Sequence, residues 1–114
     1  MPCIQLTLSQ PLTDQNKSNI KARLGKAITA IPGKSEAWLM VVFHDKASIF
    51  FKGNQNADSA FVDVEIYGQE NARAFNALTA DICDILNDEL SIPADRIYVK
   101  YGATNHWGWN GGNF

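Results

Sequence analysis

The sequence predicts a single α/β (α+β) domain of two βαβ-like units, spanning about residues 2–51 and 59–110. Three observations carry this. Apolar residues alternate with others in 2–8 and 61–66, as on half-buried strands. Apolar residues recur at helical spacing in 20–31 and 75–90. Pro11, Pro32 with Gly33, Gly68 and Pro93 fall between these stretches, where the chain must turn.

The elements follow in order. Ile4, Leu6 and Leu8 share one face of a first strand, and Pro2 can begin it because no ladder donor is demanded there. Thr13 is a suitable helix N-cap. Ile20, Leu24, Ala27, Ile28 and Ile31 then draw one apolar stripe, ended by Pro32 and Gly33. Residues 37–43 are almost wholly apolar and read as a central strand buried on both faces. Residues 48–51 read as a short edge strand and 52–54 as a turn. Residues 61–66 give a strand stopping at Gly68. Phe75, Leu78, Ile82, Ile85, Leu86 and Leu90 give a second helix, and residues 96–101 a last strand. The tail from Asn105 to Phe114 is rich in Gly and Trp.

Right-handed crossovers make each unit's strands parallel and lay both helices on one sheet face. Alternation assigns Phe43, Phe61 and Tyr101 to the other face. An apolar sheet covered on one side needs a partner, so the pattern predicts an oligomer.

Composition narrows the function. Hydrophobic residues make up 46% of the 114 residues and the net charge is −2, which excludes an intrinsically disordered chain. Ten Lys and Arg against twelve Asp and Glu argue against a basic nucleic-acid-binding face. No apolar run approaches a membrane span. The first residues lack a basic segment and a long apolar segment, so no secretory signal is expected and the protein is placed in the cytoplasm. Cys3 and Cys83 cannot form a multi-disulfide scaffold, and two His make a structural zinc site improbable; both cysteines read as small reduced hydrophobes. Twelve aromatic residues are many for a core this small: size scaling gives about 6,200 Å² of folded surface against about 18,300 Å² extended.

Several residues could carry chemistry. If Met1 is removed, Pro2 presents a secondary amine on a rigid ring, a base or nucleophile when burial or a nearby cation lowers its pKa. Equally, Pro2 can merely start a strand. Lys34, just past the first helix, can cap carbonyls or clamp a carboxylate or enolate. His44, Asp45 and Lys46 read as a solvated turn, and His106 has no evident ligand partner. Gly108, Gly111 and Gly112 lack the strand-to-helix setting of a phosphate loop. Alternation puts Trp107 and Trp109 on one side of a terminal strand, as core, interface or pocket wall.

Taken together, Met1 and Pro2 opening a strand, Pro32-Gly33-Lys34 after the first helix, Ile92 to Tyr98 leading into the last strand, and Trp109-Asn110-Gly111 before a final Phe114 resemble the macrophage migration inhibitory factor family of the tautomerase superfamily. The resemblance runs the full length of the chain. It implies one mixed four-stranded sheet with two antiparallel helices on one face and short edge strands, assembled as a homotrimer. It also implies keto–enol tautomerisation of phenylpyruvate-type aromatic keto acids without cofactor. It maps the catalytic base onto Pro2, the oxygen-holding cation onto Lys34 and an oxygen-binding backbone N–H onto Ile66. Tyr98 matches a tyrosine that enters the pocket from the neighbouring subunit, Trp107, Trp109 and Phe114 match pocket walls, and Trp38 a position on the rim. Such proteins also act as leaderless secreted cytokines or host-directed mimics, which implies a cell-surface receptor if this one leaves the cell.

The chain departs from the family in places. Lys100 stands where vertebrate members carry Asn, which weakens the case for binding a para-hydroxyl and favours another anionic group. Asp58-Ser59-Ala60-Phe61 replaces a CxxC, which removes the associated thiol redox role. The additional Arg and acidic residues of the hydratase, dehalogenase and decarboxylase branches are not identifiable beside Pro2, so plain tautomerisation leads.

Overall fold

A computed structural model describes residues 1–114. Strand β1 (Pro2–Leu8) leads to helix α1 (Asp14–Ala27), a short 3₁₀ turn (Ile28–Ala30), a second one (Glu36–Trp38) and strand β2 (Met40–His44). The second unit is β3 (Ala60–Tyr67), α2 (Ala72–Leu90), a 3₁₀ turn (Ala94–Arg96) and β4 (Ile97–Thr104). A hairpin of β5 (Gly108–Trp109) and β6 (Gly112–Asn113) ends the chain.

The main sheet has the order β2-β1-β3-β4. β1 runs parallel to β2 and β3 parallel to β4, while β1 and β3 are antiparallel, so the sheet is mixed. Ile4, Leu6 and Leu8 of β1 and Val62, Val64 and Ile66 of β3 point to one side, where they pack in a single core with Ile20 and Leu24 of α1 and Leu78, Ile82 and Leu86 of α2. The helices are antiparallel: Arg23 of α1 pairs with Asp88 and Glu89 near the end of α2, while Lys26 and Ala27, further along α1, share a groove with Asp81 and Asp84, earlier in α2.

Local chemistry explains both helix starts. Thr13 Oγ1 accepts from the Asn16 N–H at 3.0 Å while Asn16 Oδ1 accepts from the Thr13 N–H at 3.1 Å, a reciprocal cap. Asn71 Oδ1 accepts from the Ala74 N–H at 3.0 Å and starts α2. Past α1 the chain turns at Gly33, whose φ of +80° an L side chain would strain.

Three expectations change. Residues 37–43 do not form a central strand: Trp38 lies in a 3₁₀ turn, and β2 begins at Met40, pairs only with β1 and forms the sheet edge. The antiparallel joint between β1 and β3 puts the second strand of each unit outermost, so an apolar run marks an edge here. Phe43 and Tyr101 lie on the helix face, not the open one. Phe43 registers with buried Leu6, and Tyr101 stacks on Phe75 of α2 at 4.4 Å while bonding Thr79 and the Phe75 carbonyl. Residues 48–51 contribute only an isolated bridge between Phe51 and Asn54, across the turn at Lys52 and Gly53.

Phe61 does face the open side, with Tyr98 beside it in register. The middle of that face is charged, however. Lys100 Nζ lies 3.1 Å from Glu65 Oε1 and 3.7 Å from Asp63 Oδ1. A Cβ at Gly102 would run into the Glu65 carboxylate, so glycine there lets that side chain lie flat on the sheet.

Candidate active site

The start of β1 lies beside the end of β3, since Pro2 registers with Ile66. Lys34, in the connection from α1 to β2, donates from Nζ to the Tyr67 carbonyl at 2.6 Å. The Tyr67 N–H in turn donates to the Met1 carbonyl at 3.0 Å. One residue at the end of β3 thus ties the cation to the start of the chain. The Met1 amine is held below its usual α-amino value, first by burial, then by the Lys34 charge and its hydrogen bond. The neutral form of an amine is what this environment favours.

The amide aimed at the chain start is that of Tyr67 and not, as the resemblance implies, that of Ile66. Successive N–H groups on a strand point to opposite edges. Tyr67 donates toward β1, and Gly68 donates to Thr104 of β4 at 2.9 Å, so the Ile66 N–H faces β4. The Ile66 side chain is in the core.

Aromatic side chains wall the site. Trp38 meets Trp109 edge-on with ring centroids 5.2 Å apart, Trp109 stacks on Phe114 at 6.3 Å, and Phe114 leans on Tyr67 at 5.3 Å. A cavity of about 410 Å³ opens beside Pro2, with Trp38, Trp107 and Trp109 on its wall. A second, of about 250 Å³, is lined by Met1, Trp38, Tyr67 and Phe114 alone. The first is of the size that takes a small ligand, and the second is lined by apolar side chains throughout.

The tail is a hairpin and not the single terminal strand expected. Asn110 and Gly111, with φ of 52° and 89°, form its two-residue turn, and the Phe114 N–H bonds the Trp107 carbonyl at 3.1 Å. Positive φ at both central positions is the type I′ geometry that Asn-Gly accommodates and strand twist favours. The turn folds Phe114 back over Trp109. Trp107 precedes β5 and does not alternate with Trp109 along it.

The described chain therefore brings Pro2, Lys34, Trp38, Trp107, Trp109 and Phe114 together, and adds Tyr67. It does not bring Tyr98 or Lys100 to them. Tyr98 registers through Phe61 with Thr7, five residues along β1 from Pro2, which is about 17 Å at about 3.3 Å per residue. Tyr98 is 64% exposed and packs edge-on with Phe51 at 5.3 Å. Lys100 is engaged by Glu65 and Asp63, which hold its pKa above the ordinary value. Cys3, beside Pro2, is held as a thiol by burial and by the charges of Asp63 and Glu65.

All 114 residues match the family described as macrophage migration inhibitory factor (MIF). The chain belongs to the MIF family. A curated MIF relative from Xenopus laevis is 27% identical over 104 residues, covering 89% of each chain. Among solved structures, MIF2 of Leishmania major superposes with a TM-score of 0.92 at 39% identity, over 100% of this chain and 97% of that one. The MIF homologue of Prochlorococcus marinus gives 0.83 at 26% identity, over 98% of each. The mixed four-stranded sheet with two helices is thus the MIF fold, and the aromatic pocket at the start of β1 is built on it.

Proposed function

We propose that the protein is a cofactor-independent keto–enol tautomerase of phenylpyruvate-type aromatic 2-keto acids, with Met1 removed and Pro2 as general base. The observation that carries this reading is the junction at Tyr67: its carbonyl holds Lys34 Nζ at 2.6 Å and its N–H points at the chain start, inside an aromatic pocket. Removing Met1 frees that N–H, vacates the space Met1 occupies in both cavities, and turns the Pro2 nitrogen from an amide into an amine.

The chemistry then balances simply. The neutral Pro2 nitrogen takes a proton from C3 of the keto acid, and the C3–H electron pair becomes the C2–C3 double bond. The C2 carbonyl oxygen takes up the negative charge. Lys34 and the Tyr67 N–H are preorganised donors for it, which is the usual means of stabilising an oxyanion. Pro2 returns the proton to that oxygen and gives the enol; the reverse path consumes the enol. Burial and then Lys34 lower the pKa of the Met1 amine at this end of the strand, and the same surroundings favour the neutral form of a Pro2 amine set there. The aromatic walls exclude water and stack on the ring.

A homotrimer completes this reading. The strand-face residues Phe61 and Tyr98 are exposed in the single chain, 41% and 64%, and lie far along the sheet from Pro2. They suit contact with a second copy, with Tyr98 of the partner subunit closing the pocket mouth. The test is enol absorbance of phenylpyruvate with the Pro2→Gly variant. A drop of about a hundredfold or more is expected for loss of a matched general base; undiminished turnover sinks the assignment.

A further inference from the structure

Tyr67 holds three parts of the site at once. Its amide N–H points at the chain start, its carbonyl fixes Lys34, and its ring both packs against Phe114 at 5.3 Å and lies 6.0 Å from Lys34 Nζ. The backbone contacts exist for any residue at this position. The ring contacts do not.

Those ring contacts close a circuit. Tyr67 meets Phe114, Phe114 stacks on Trp109, and Trp109 meets Trp38, which returns to the cavity that Tyr67 also lines. The tail bearing Phe114 and Trp109 is a short hairpin with both strands exposed, so it has little core of its own to hold it. Tyr67 also lines a more polar cavity of about 250 Å³ together with Lys34, Gln69, Glu70 and Asn71.

We infer that the Tyr67 side chain is a specificity-determining residue: its ring, by anchoring Phe114 and walling the apolar chamber, selects keto acids bearing a planar aromatic group over alkyl ones. This rests on the tautomerase reading above and names a determinant within that site. Because the N–H and carbonyl stay in place under substitution, the side chain's part can be read separately from the stabilisation of charge on oxygen.

The test compares wild type, Tyr67→Leu and Tyr67→Phe on phenylpyruvate and on 2-oxobutanoate, which has no ring to stack. Loss of one aromatic partner corresponds to roughly a three- to tenfold change. Tyr67→Leu is therefore expected to lower the ratio of kcat/KM on phenylpyruvate to kcat/KM on 2-oxobutanoate by that factor, mainly through a higher KM for phenylpyruvate. Tyr67→Phe keeps the ring and is expected to keep the wild-type ratio of kcat/KM between the two substrates. Equal losses on the two substrates, or a Phe variant as impaired as the Leu variant, overturn the inference. Phenylpyruvate binding, read by quenching of Trp fluorescence, separates the two readings. A wild type that binds with the same ranking of variants but does not turn over ends the tautomerase reading alone. Equal binding by all three proteins ends this one.

Discussion

At one end of the sheet, the connection from α1 to β2 brings Lys34 beside the start of β1. At the other end, the connection from α2 to β4 brings Arg96 beside the start of β3. Each βαβ unit thus sets a cation close to the start of a strand, but the two cations differ in how many acceptors hold them. Arg96 donates from Nε to the Asp58 carbonyl and Ser59 Oγ at 3.1 and 2.9 Å, and from Nη1 to Asn54 at 3.4 Å, with its guanidinium 5.3 Å from the Phe51 ring. It ties down the loop before β3. Lys34 donates to one backbone carbonyl and lies close to the chain start, near an apolar cavity that Tyr67 and Met1 line. The planar fork suits several fixed acceptors, whereas the mobile ammonium keeps donors for a ligand.

Substitution should separate the two ends cleanly. Lys34→Ala is expected to lower kcat/KM for phenylpyruvate by roughly a hundredfold, the scale of losing one oxyanion donor, with little change in melting temperature. The same variant should move the pH profile. Activity requires the neutral Pro2 amine, so it rises with pH through that amine's titration; at the same end of β1, burial and Lys34 lower the pKa of the Met1 amine below its ordinary value. Removing the Lys34 charge should shift that rise to higher pH; an unmoved profile would mean burial alone sets the amine. Arg96→Ala should do the reverse. It is expected to cost about 1–3 kcal/mol of stability by denaturant titration, because its acceptors lose their donor, while turnover per folded subunit stays close to wild type. A stable but inactive Arg96→Ala would break the contrast between the two ends.

How the sequence relates to this structure depends on the length scale of each feature. Helices and strands are local, and the alternation at 2–8 and 61–66, the stripes of both helices and the stops at Pro32 and Gly68 all correspond to observed elements. Sheet order is not local. The apolar run ending in Phe43 reads as central, but β1 and β3 pair antiparallel and leave β2 at the edge. Facing depends on register as well. Alternation relates neighbours on one strand and leaves open which parity meets the helices, and a slip of one residue reverses it. That is how Phe43 and Tyr101 come to lie on the helix side.

The site divides along the same line. Pro2, Lys34, Trp109 and Phe114 are marked by their positions beside chain breaks and in the aromatic tail. Tyr67 is marked by nothing local except its place before Gly68; its role depends on which edge of β3 faces β1. The Asn110-Gly111 turn was a readable hairpin signal, and it accounts for Phe114 folding back onto Trp109. The aromatic surplus is explained in part by these walls: Trp38, Trp109 and Phe114 are each about half exposed, outside the core.

The central claim is that a free Pro2 amine beside Lys34 and the Tyr67 N–H is the reactive group. The most direct measurement compares two preparations of the same chain, one beginning at Pro2 and one retaining Met1, each verified by intact mass. The account predicts phenylpyruvate tautomerisation in the first and at least a hundredfold less in the second, roughly the contribution of a positioned general base. Equal activity in the two preparations would contradict it.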